Sequence, residues 1–543
     1  MFINHIIPEH YLCRDPSMSK ISTKYHTVII GGGHNGLVAA TYLAKAGKKV
    51  LLLEKNHDLG GATVSRQTFP DYEAWLSSYS YLVSLFPRQI MQELGLNIHL
   101  LRRRIASYTP YWQNKTPKGL LLSHSDERIS RRSVLDLGNE ESEWQGYQHL
   151  LRQQNLFAEL VWDSFLTPLH DRREFEKRFQ LVGQAGLWRD LVEEPLGRFI
   201  EKNAQSDTLR GVLLTDAKIG AFTYAHDESL LQNRTFLYHI IGNKTGEWRV
   251  PQGGMGELTQ QLARKAARAG TKLFGDAILR DVQVGYPHHT VHFELDGKAY
   301  EVQTQYLLSN ASERVLHTLL GQTPAALTTQ DEGTAFKINM LLRKLPVLKD
   351  PDVHPGEAFA GTFHINQSYT QLEKTFAEAA AGQIPTTLAG EIYCHTLTDP
   401  TILSKNLQEM GYHTLTYFGL DLPYGLFVKD NEKAKQEVVR RFLAGINAYL
   451  AEPLEECLAH DAQGNLCLEA KSALDLENEL SLPAGNIFHK PLSWFFAEQK
   501  AEIGTWGVET PWERVFVCGS SARRGGAVSG IPGRNAAMAV LGL

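Results

Sequence analysis

Long apolar stretches, paired cysteines and metal-spaced ligands are all missing from this chain. No run of about 18 apolar residues occurs, so no membrane-spanning helix is expected. The five cysteines, Cys13, Cys394, Cys457, Cys467 and Cys518, never fall as Cys-x-x-Cys. That spacing excludes a vicinal redox pair, makes a disulfide framework unexpected and suits a reducing compartment. The cytoplasm is the expected location, with the mitochondrial matrix as the alternative. There is no His-Glu-x-x-His and no Cys/His zinc spacing, so no metal site is expected. Tandem repeats and low-complexity segments are absent as well. Residues 1–24 hold no long apolar region and carry Glu9 and Asp15, which argues against a secretory leader and a mitochondrial presequence. They read as a tail, with Met18 as a second candidate start.

A one-sided charge is also lacking. Lys and Arg number 55 against 60 Asp and Glu, a net charge of −5, and nothing in that balance calls for nucleic acid. The expected partner is a small-molecule substrate, and peripheral membrane contact stays open. Arg102–Arg104 and Arg131–Arg132 are short basic clusters, read either as solvated loops and helix ends or as a docking patch for an acidic surface. The 543 residues suffice for several domains with large cores.

What is present begins at Tyr25-His26-Thr27-Val28-Ile29-Ile30-Gly31-Gly32-Gly33-His34-Asn35-Gly36. The apolar run Thr27–Ile30 suits a buried parallel strand. Gly31, Gly33 and Gly36 fill a G-x-G-x-x-G frame: a tight turn, a close backbone approach to a pyrophosphate, and close helix–strand packing. A helix is expected from about Asn35 to Ala46, its N-terminus offering free N–H groups to phosphates. Lys49–Leu53 reads as the second strand, ending at Glu54, whose carboxylate can accept both ribose hydroxyls and disfavours a 2′-phosphate. FAD or NAD therefore fits better than NADP, and the motif alone does not choose between them.

Farther along, Glu141–Leu214 reads as a long helical region and Glu247–Val250 as a strand. Leu258–Ala269 is expected as an amphipathic helix, followed by strands at Lys272–Phe274, Leu279–Val284, His292–Leu295 and Glu301–Leu308. Near the end, the strand Val515–Cys518, the loop Gly519–Gly530 and an Ala-rich helix Asn535–Leu541 repeat the strand, glycine loop and helix order. Two anion-receptive helix ends at opposite ends of a chain suit one long ligand with two phosphates and a second polar end, which is the shape of FAD.

These segments, with Gly60–Gly61, Pro251-x-Gly253-Gly254 and Ser309-Asn310-Ala311, resemble the phytoene desaturase and amine oxidase group of flavoproteins. Thr215-Asp216-Ala217, Lys337-Ile338-Asn339, Gly485-Asn486-Ile487-Phe488-His489 and Gly533-Arg534-Asn535-Ala536-Ala537 resemble a branch of that group named for a pyridine nucleotide-disulfide oxidoreductase domain. The missing Cys-x-x-Cys does not support the disulfide chemistry in that name. The resemblance implies an α/β fold: a Rossmann-like FAD-binding domain of discontinuous segments, in the manner of glutathione reductase, plus an α+β substrate domain with a mixed sheet and helices. FAD-domain segments are expected over 25–105, 247–315 and 505–543, and substrate-domain segments over 106–246 and 316–504.

The cofactor contacts so implied are Gly31, Gly33, His34, Asn35, Gly36, Glu54, Lys55, Gly61 and Ala62 at the first end. Val282 would meet the adenine through its backbone, and Gly519, Gly526, Ala527, Val528 and Ser529 would meet the flavin end. Lys337 resembles the lysine that holds a water at flavin N5 in amine oxidases; the competing reading is a surface lysine on an amphipathic strand. His489 is a candidate acid/base at the substrate face, or a satisfied loop histidine. Asp216 reads as a helix–helix hydrogen-bonding group or a base, Tyr79 and Tyr81 as cavity lining, and Trp494, Phe495 and Phe496 as cavity lining or core. Cys518 reads as inert. Arg523-Arg524 stands where relatives tend to have His-Pro, and reads as a solvent-facing pair or as partners for the pyrophosphate or an anionic substrate. The expected activity is an FAD-dependent oxidoreductase that takes a hydride from an organic, apolar or amine-bearing substrate and is reoxidised by oxygen, a quinone or a partner. A flavin-bound scaffold and a plain NAD-dependent dehydrogenase are the alternatives.

Overall fold

A computed structural model describes residues 21–138 and 140–543. Of the tail expected over residues 1–24, residues 1–20, with Met18 and Cys13, lie outside the described residues, and Lys24 already belongs to the first strand. Two seven-stranded sheets organise the rest.

The first sheet is built on the strand Lys24–Ile30. Val28, Ile29 and Ile30 are buried, as the apolar run requires of a strand covered on both faces. It lies parallel between Val50–Leu53 on one side and Lys298–Ser309 on the other. Lys272–Phe274 extends the sheet in parallel beyond Val50–Leu53. On the far edge, Lys298–Ser309 serves two neighbours. Its first half closes an antiparallel meander with His289–Leu295 and Ile278–Gln283, and its last residues pair in parallel with Val515–Val517. Segments from both ends of the chain thus enter one sheet.

The helices His34–Lys45 and Ile531–Leu541 pack side by side against it. Arg534 crosses the contact to Glu93 at 3.0 Å, and the Tyr42 hydroxyl reaches the same carboxylate. The terminal helix begins at Ile531, four residues before the expected Asn535. Pro532 sits in its first turn, where a fixed φ and a missing N–H cost nothing.

The second sheet is mixed. Its order runs through Leu468–Lys471, Phe336–Leu342, His413–Gly419, Gly390–Tyr393, Thr362–Ile365, Ile105–Gln113 and Thr116–Ser123. Only Thr362–Ile365 and Ile105–Gln113 pair in parallel; every other neighbouring pair is antiparallel. Beside it lies a helical layer. The expected long helical region is broken into Glu141–Val161, Arg172–Leu181, Leu196–Asn203 and Asp207–Thr215. Pro168, Gly183 and Pro195 fall in the gaps and supply the breaks. Phe157, Phe165, Phe175, Phe495 and Phe496 form the aromatic centre of that layer. The strand expected at Glu247–Val250 is reduced to Val250–Pro251, paired with Leu100–Leu101. Among the described residues no helix is long and apolar enough to cross a membrane.

Candidate functional site

The strand Lys24–Ile30 delivers the glycine turn to the N-terminus of the first helix, which starts at His34. A Cβ on Gly36 would lie 2.4 Å from the Gly31 carbonyl oxygen, so only glycine lets helix and strand close. A Cβ on Gly33 would meet Asn310 Nδ2 at 2.7 Å: the space kept free there is shared with the Asn310 side chain. Glu54 is fastened to the same turn. Its Oε2 accepts from the Gly32 N–H at 2.7 Å and its Oε1 from the Asn56 N–H at 2.9 Å. Burial pushes its pKa up, and these bonds oppose the rise. His34 Nε2 and Asn35 Oδ1 are buried without a hydrogen-bond partner among the described residues. Buried polar atoms are nearly always satisfied, so two orphans beside free helix-end N–H groups fit an anionic, hydrogen-bonding ligand.

That turn opens on a cavity of about 590 Å³, inside the range of roughly 300–1,000 Å³ usual for ligand sites. Gly31, Gly33, His34, Asn35, Glu54, Lys55, Gly61, Ala62, Ala527 and Val528 line it, together with Lys337 and His489. The first and last segments of the chain therefore share one cavity wall.

Five residues expected at the cofactor do not line it. Gly36 packs inside the turn. Val282 is buried in the core of the first sheet, and the cavity meets that strand at Ile278 and Leu279 instead. Gly519 faces the Asn310 carbonyl, which its Cβ would meet at 2.4 Å. Gly526 lies against Phe488 and Leu492. The Ser529 hydroxyl accepts from the Ile531 N–H at 3.3 Å, just ahead of Gly530, the N-cap of the terminal helix.

Lys337 is 5% exposed and lines the cavity, which overturns the surface-lysine reading. Its Nζ donates to the Ser77 carbonyl at 2.6 Å and lies 5.7 Å from the centre of the Tyr81 ring. Burial lowers its pKa to about 7; Glu469 opposes and Lys471 adds to the fall. His489 sits in a left-handed conformation, φ 66°, with Nδ1 3.2 Å from Ser521 Oγ. Burial, then the neighbouring His34, lowers its pKa to about 4, so its imidazole is neutral at physiological pH.

The other candidates separate cleanly. Tyr79 and Tyr81 line the cavity. Asp216 caps the helix Asp207–Thr215, also lines the cavity, and has its pKa raised by burial. Trp494, Phe495 and Phe496 belong to the helical core and not to the cavity wall. Cys518 is buried, and its thiol is held well above the usual range by desolvation. Neither arginine of the departing pair touches the cavity. Arg523 pairs with Glu498 and Glu502. Arg524, 1% exposed, donates to the carbonyls of Ser164 at 2.6 Å, Thr167 at 2.7 Å and Trp506 at 2.9 Å.

Asn310 and Arg103, expected from sequence only as part of a motif and of a basic cluster, line the cavity, as do His364, Glu391 and Tyr393, for which no role was expected. One signal was present for Glu391: it is a lone carboxylate in the buried strand Gly390–Tyr393, and such groups are rarely buried without a purpose. Nothing local distinguishes Arg103 from its neighbours Arg102 and Arg104.

Comparison with known proteins agrees with this geometry. Residues 29–88 match the NAD(P)-binding Rossmann-like domain family. A putrescine oxidase solved with putrescine bound shares the fold over 96% of this chain and 99% of its own, with a TM-score of 0.54 at 16% identity. The chain thus carries a Rossmann-like domain within a fold shared with that oxidase. It is 43% identical over 534 residues to protein Rv0897c of Mycobacterium tuberculosis, covering 96% of this chain and 98% of that one, and belongs to the same family. It is homologous as well to the mouse pyridine nucleotide-disulfide oxidoreductase domain-containing protein 2, at 29% identity over 570 residues, 96% of this chain and 94% of that one. Among the described residues every cysteine, Cys394, Cys457, Cys467 and Cys518, is free and buried, so this chain brings no described disulfide to match that domain's name.

Proposed function

We propose that the cavity holds FAD and that the protein is an FAD-dependent oxidoreductase removing a hydride from an organic substrate. The observation that carries this reading is the shared wall: Gly31, Gly33 and Glu54 from the start of the chain and Ala527 and Val528 from its end face one cavity. The domain assignment follows from it, with the first sheet gripping the cofactor and the second sheet and helical layer enclosing the substrate.

FAD bound there supplies the two-electron acceptor; the chain supplies position, charge and dryness. Glu54 holds the glycine turn in shape through Gly32, and its remaining lone pairs would accept from ribose hydroxyls of the bound cofactor. The N-termini of the first and last helices stabilise negative charge on pyrophosphate and on the pyrimidine end of the ring. Lys337, titrating near neutrality, is able to hold or give up a proton at Nζ. His489, neutral, offers one donor and one acceptor and no charge. Reoxidation would pass the electrons to oxygen, a quinone or a protein partner. The free, buried cysteines suit a reducing compartment, where we place the protein.

A visible absorption spectrum of the purified protein tests the cofactor, with release of the chromophore on denaturation separating FAD from FMN. Photoreduction followed by mixing with air or quinone tests turnover. Protein that neither carries flavin nor binds added FAD would refute the proposal.

A further inference from the structure

Register across the second sheet places Lys337, Phe418, Glu391 and His364 in one row. Lys337 pairs with Phe418, Phe418 with Glu391, and Glu391 with His364. Directly opposed residues share a face, and all four line the cavity. Strands lie about 4.8 Å apart, so the row runs roughly 14 Å away from Lys337. At its far end stands Arg103. Its Nη1 donates to Thr362 Oγ1 at 3.0 Å and its Nε to the Trp248 carbonyl at 3.3 Å. The Tyr393 ring lies 5.8 Å from its Cζ.

Arg103 is 7% exposed, yet no carboxylate lies within ion-pair distance of it among the described residues, and no acceptor there takes its Nη2. Its neighbours in the basic run are matched: Arg102 pairs with Glu247 at 2.7 Å and Arg104 with Glu357 at 2.9 Å. Glu391, the buried carboxylate on the same wall, is engaged otherwise. Tyr393 and Tyr81 both donate to its Oε2, and His364 Nε2 lies 3.7 Å from its Oε1. Asp216 also lines this region, and burial favours its neutral form. A carboxyl group escapes the cost of burial by taking a proton. A guanidinium has no such route, so its charge needs a partner. Leu122, Leu213, Ile219 and Phe418 give the same cavity an apolar surface beside these polar groups.

We infer that Arg103 binds a carboxylate at the end of the substrate remote from its oxidised carbon, so that the substrate is an amphiphile with an apolar body and one terminal carboxylate. A monoanion fits better than a phosphate dianion, since the carboxyl groups of Glu391 and Asp216 line the same cavity and disfavour a second negative charge. The inference rests on the oxidoreductase reading for the word substrate, but the binding it asserts does not need flavin chemistry.

The test is calorimetric titration of the purified protein with octanoate, butyrate, octylamine and 1-octanol, with flavin content recorded on the same sample. Octanoate should bind, and butyrate more weakly, by about three- to fourfold for each methylene lost. Octylamine and 1-octanol should bind at least tenfold more weakly than octanoate. Arg103→Gln should weaken octanoate about 10- to 100-fold and leave 1-octanol unchanged, as expected for loss of a charge-assisted bond. Arg103→Lys, which keeps the charge, should fall between and guards against a folding defect. Preference for octylamine, equal binding of all three, or octanoate affinity unchanged in Arg103→Gln would overturn the inference. Flavin-replete protein that ignores octanoate defeats this inference alone; octanoate binding lost in Arg103→Gln, in protein that neither carries flavin nor binds added FAD, defeats the cofactor reading alone.

Discussion

The Lys337 ammonium donates to the backbone carbonyl of Ser77 across 2.6 Å, joining a strand of the second sheet to the segment that follows the glycine turn. Asn339, two residues along the same strand, points an amide at that carbonyl from 3.5 Å. One carbonyl thus fixes the height of a buried amine above the cavity, where solvent would otherwise leave it free to swing.

Replacing Lys337 by Met should raise stability while slowing turnover. The amine titrates near 10.5 when unfolded and near 7 when folded. Between those values the unfolded chain binds more protons, so the wild type gains stability as pH rises from 7 to 10.5 and is at its least stable below 7. The linkage is on the order of 3–5 kcal/mol. Lys337→Met should therefore melt above the wild type at pH 7, and the gap should close towards pH 10. Equal melting differences at both pH values would contradict the buried, neutral-leaning amine.

His489 should stay neutral across the range in which histidine usually titrates, about pH 5–8. Its ring signals in NMR should not shift through that window, since its pKa lies near 4. His489→Asn keeps a residue that tolerates a left-handed backbone and should preserve the melting temperature while changing flavin reduction in stopped flow. An unchanged reduction rate would remove His489 from the chemistry.

Gly36→Ala should damage the turn itself. The new methyl group would sit 2.4 Å from the Gly31 carbonyl oxygen, backbone that cannot rotate away. A loss of about 1–3 kcal/mol is expected, with flavin content reduced in parallel. Denaturant unfolding and the visible spectrum report the two effects separately.

Arg524 and Arg523 should differ sharply despite their adjacency. Arg524→Ala leaves three carbonyls and a void in the interior and should cost about 3–5 kcal/mol. Arg523→Ala removes ion pairs nearer the surface and should cost about 1 kcal/mol or less. Chemical denaturation of both variants decides this, and comparable losses would mean the two side chains are not divided between core and rim as described.

Local pattern carried much of the fold. The strand ending at Ile30, the helix after it, the acid at Glu54 and the strand Lys272–Phe274 all obey periodicities that a short window contains. The helix Ile531–Leu541 was legible only in its Ala-rich half, because its first turn is written in Gly, Ile and Pro, which also spell a loop. Val282 and Leu279 share one strand, and which of them meets the cavity is set by sheet packing and not by hydropathy.

The sequence by itself determined that a nucleotide-binding turn opens the chain, that its strands are buried, and that no vicinal cysteines serve it. Only the tertiary structure decided which arginine of Arg102–Arg104 is buried, that Arg524 props the core, and that Lys337, Glu391 and His364 stand in one row. The reason is physical: hydrogen-bonded elements answer to neighbours a few positions away, whereas the fate of a charge depends on what distant segments place against it.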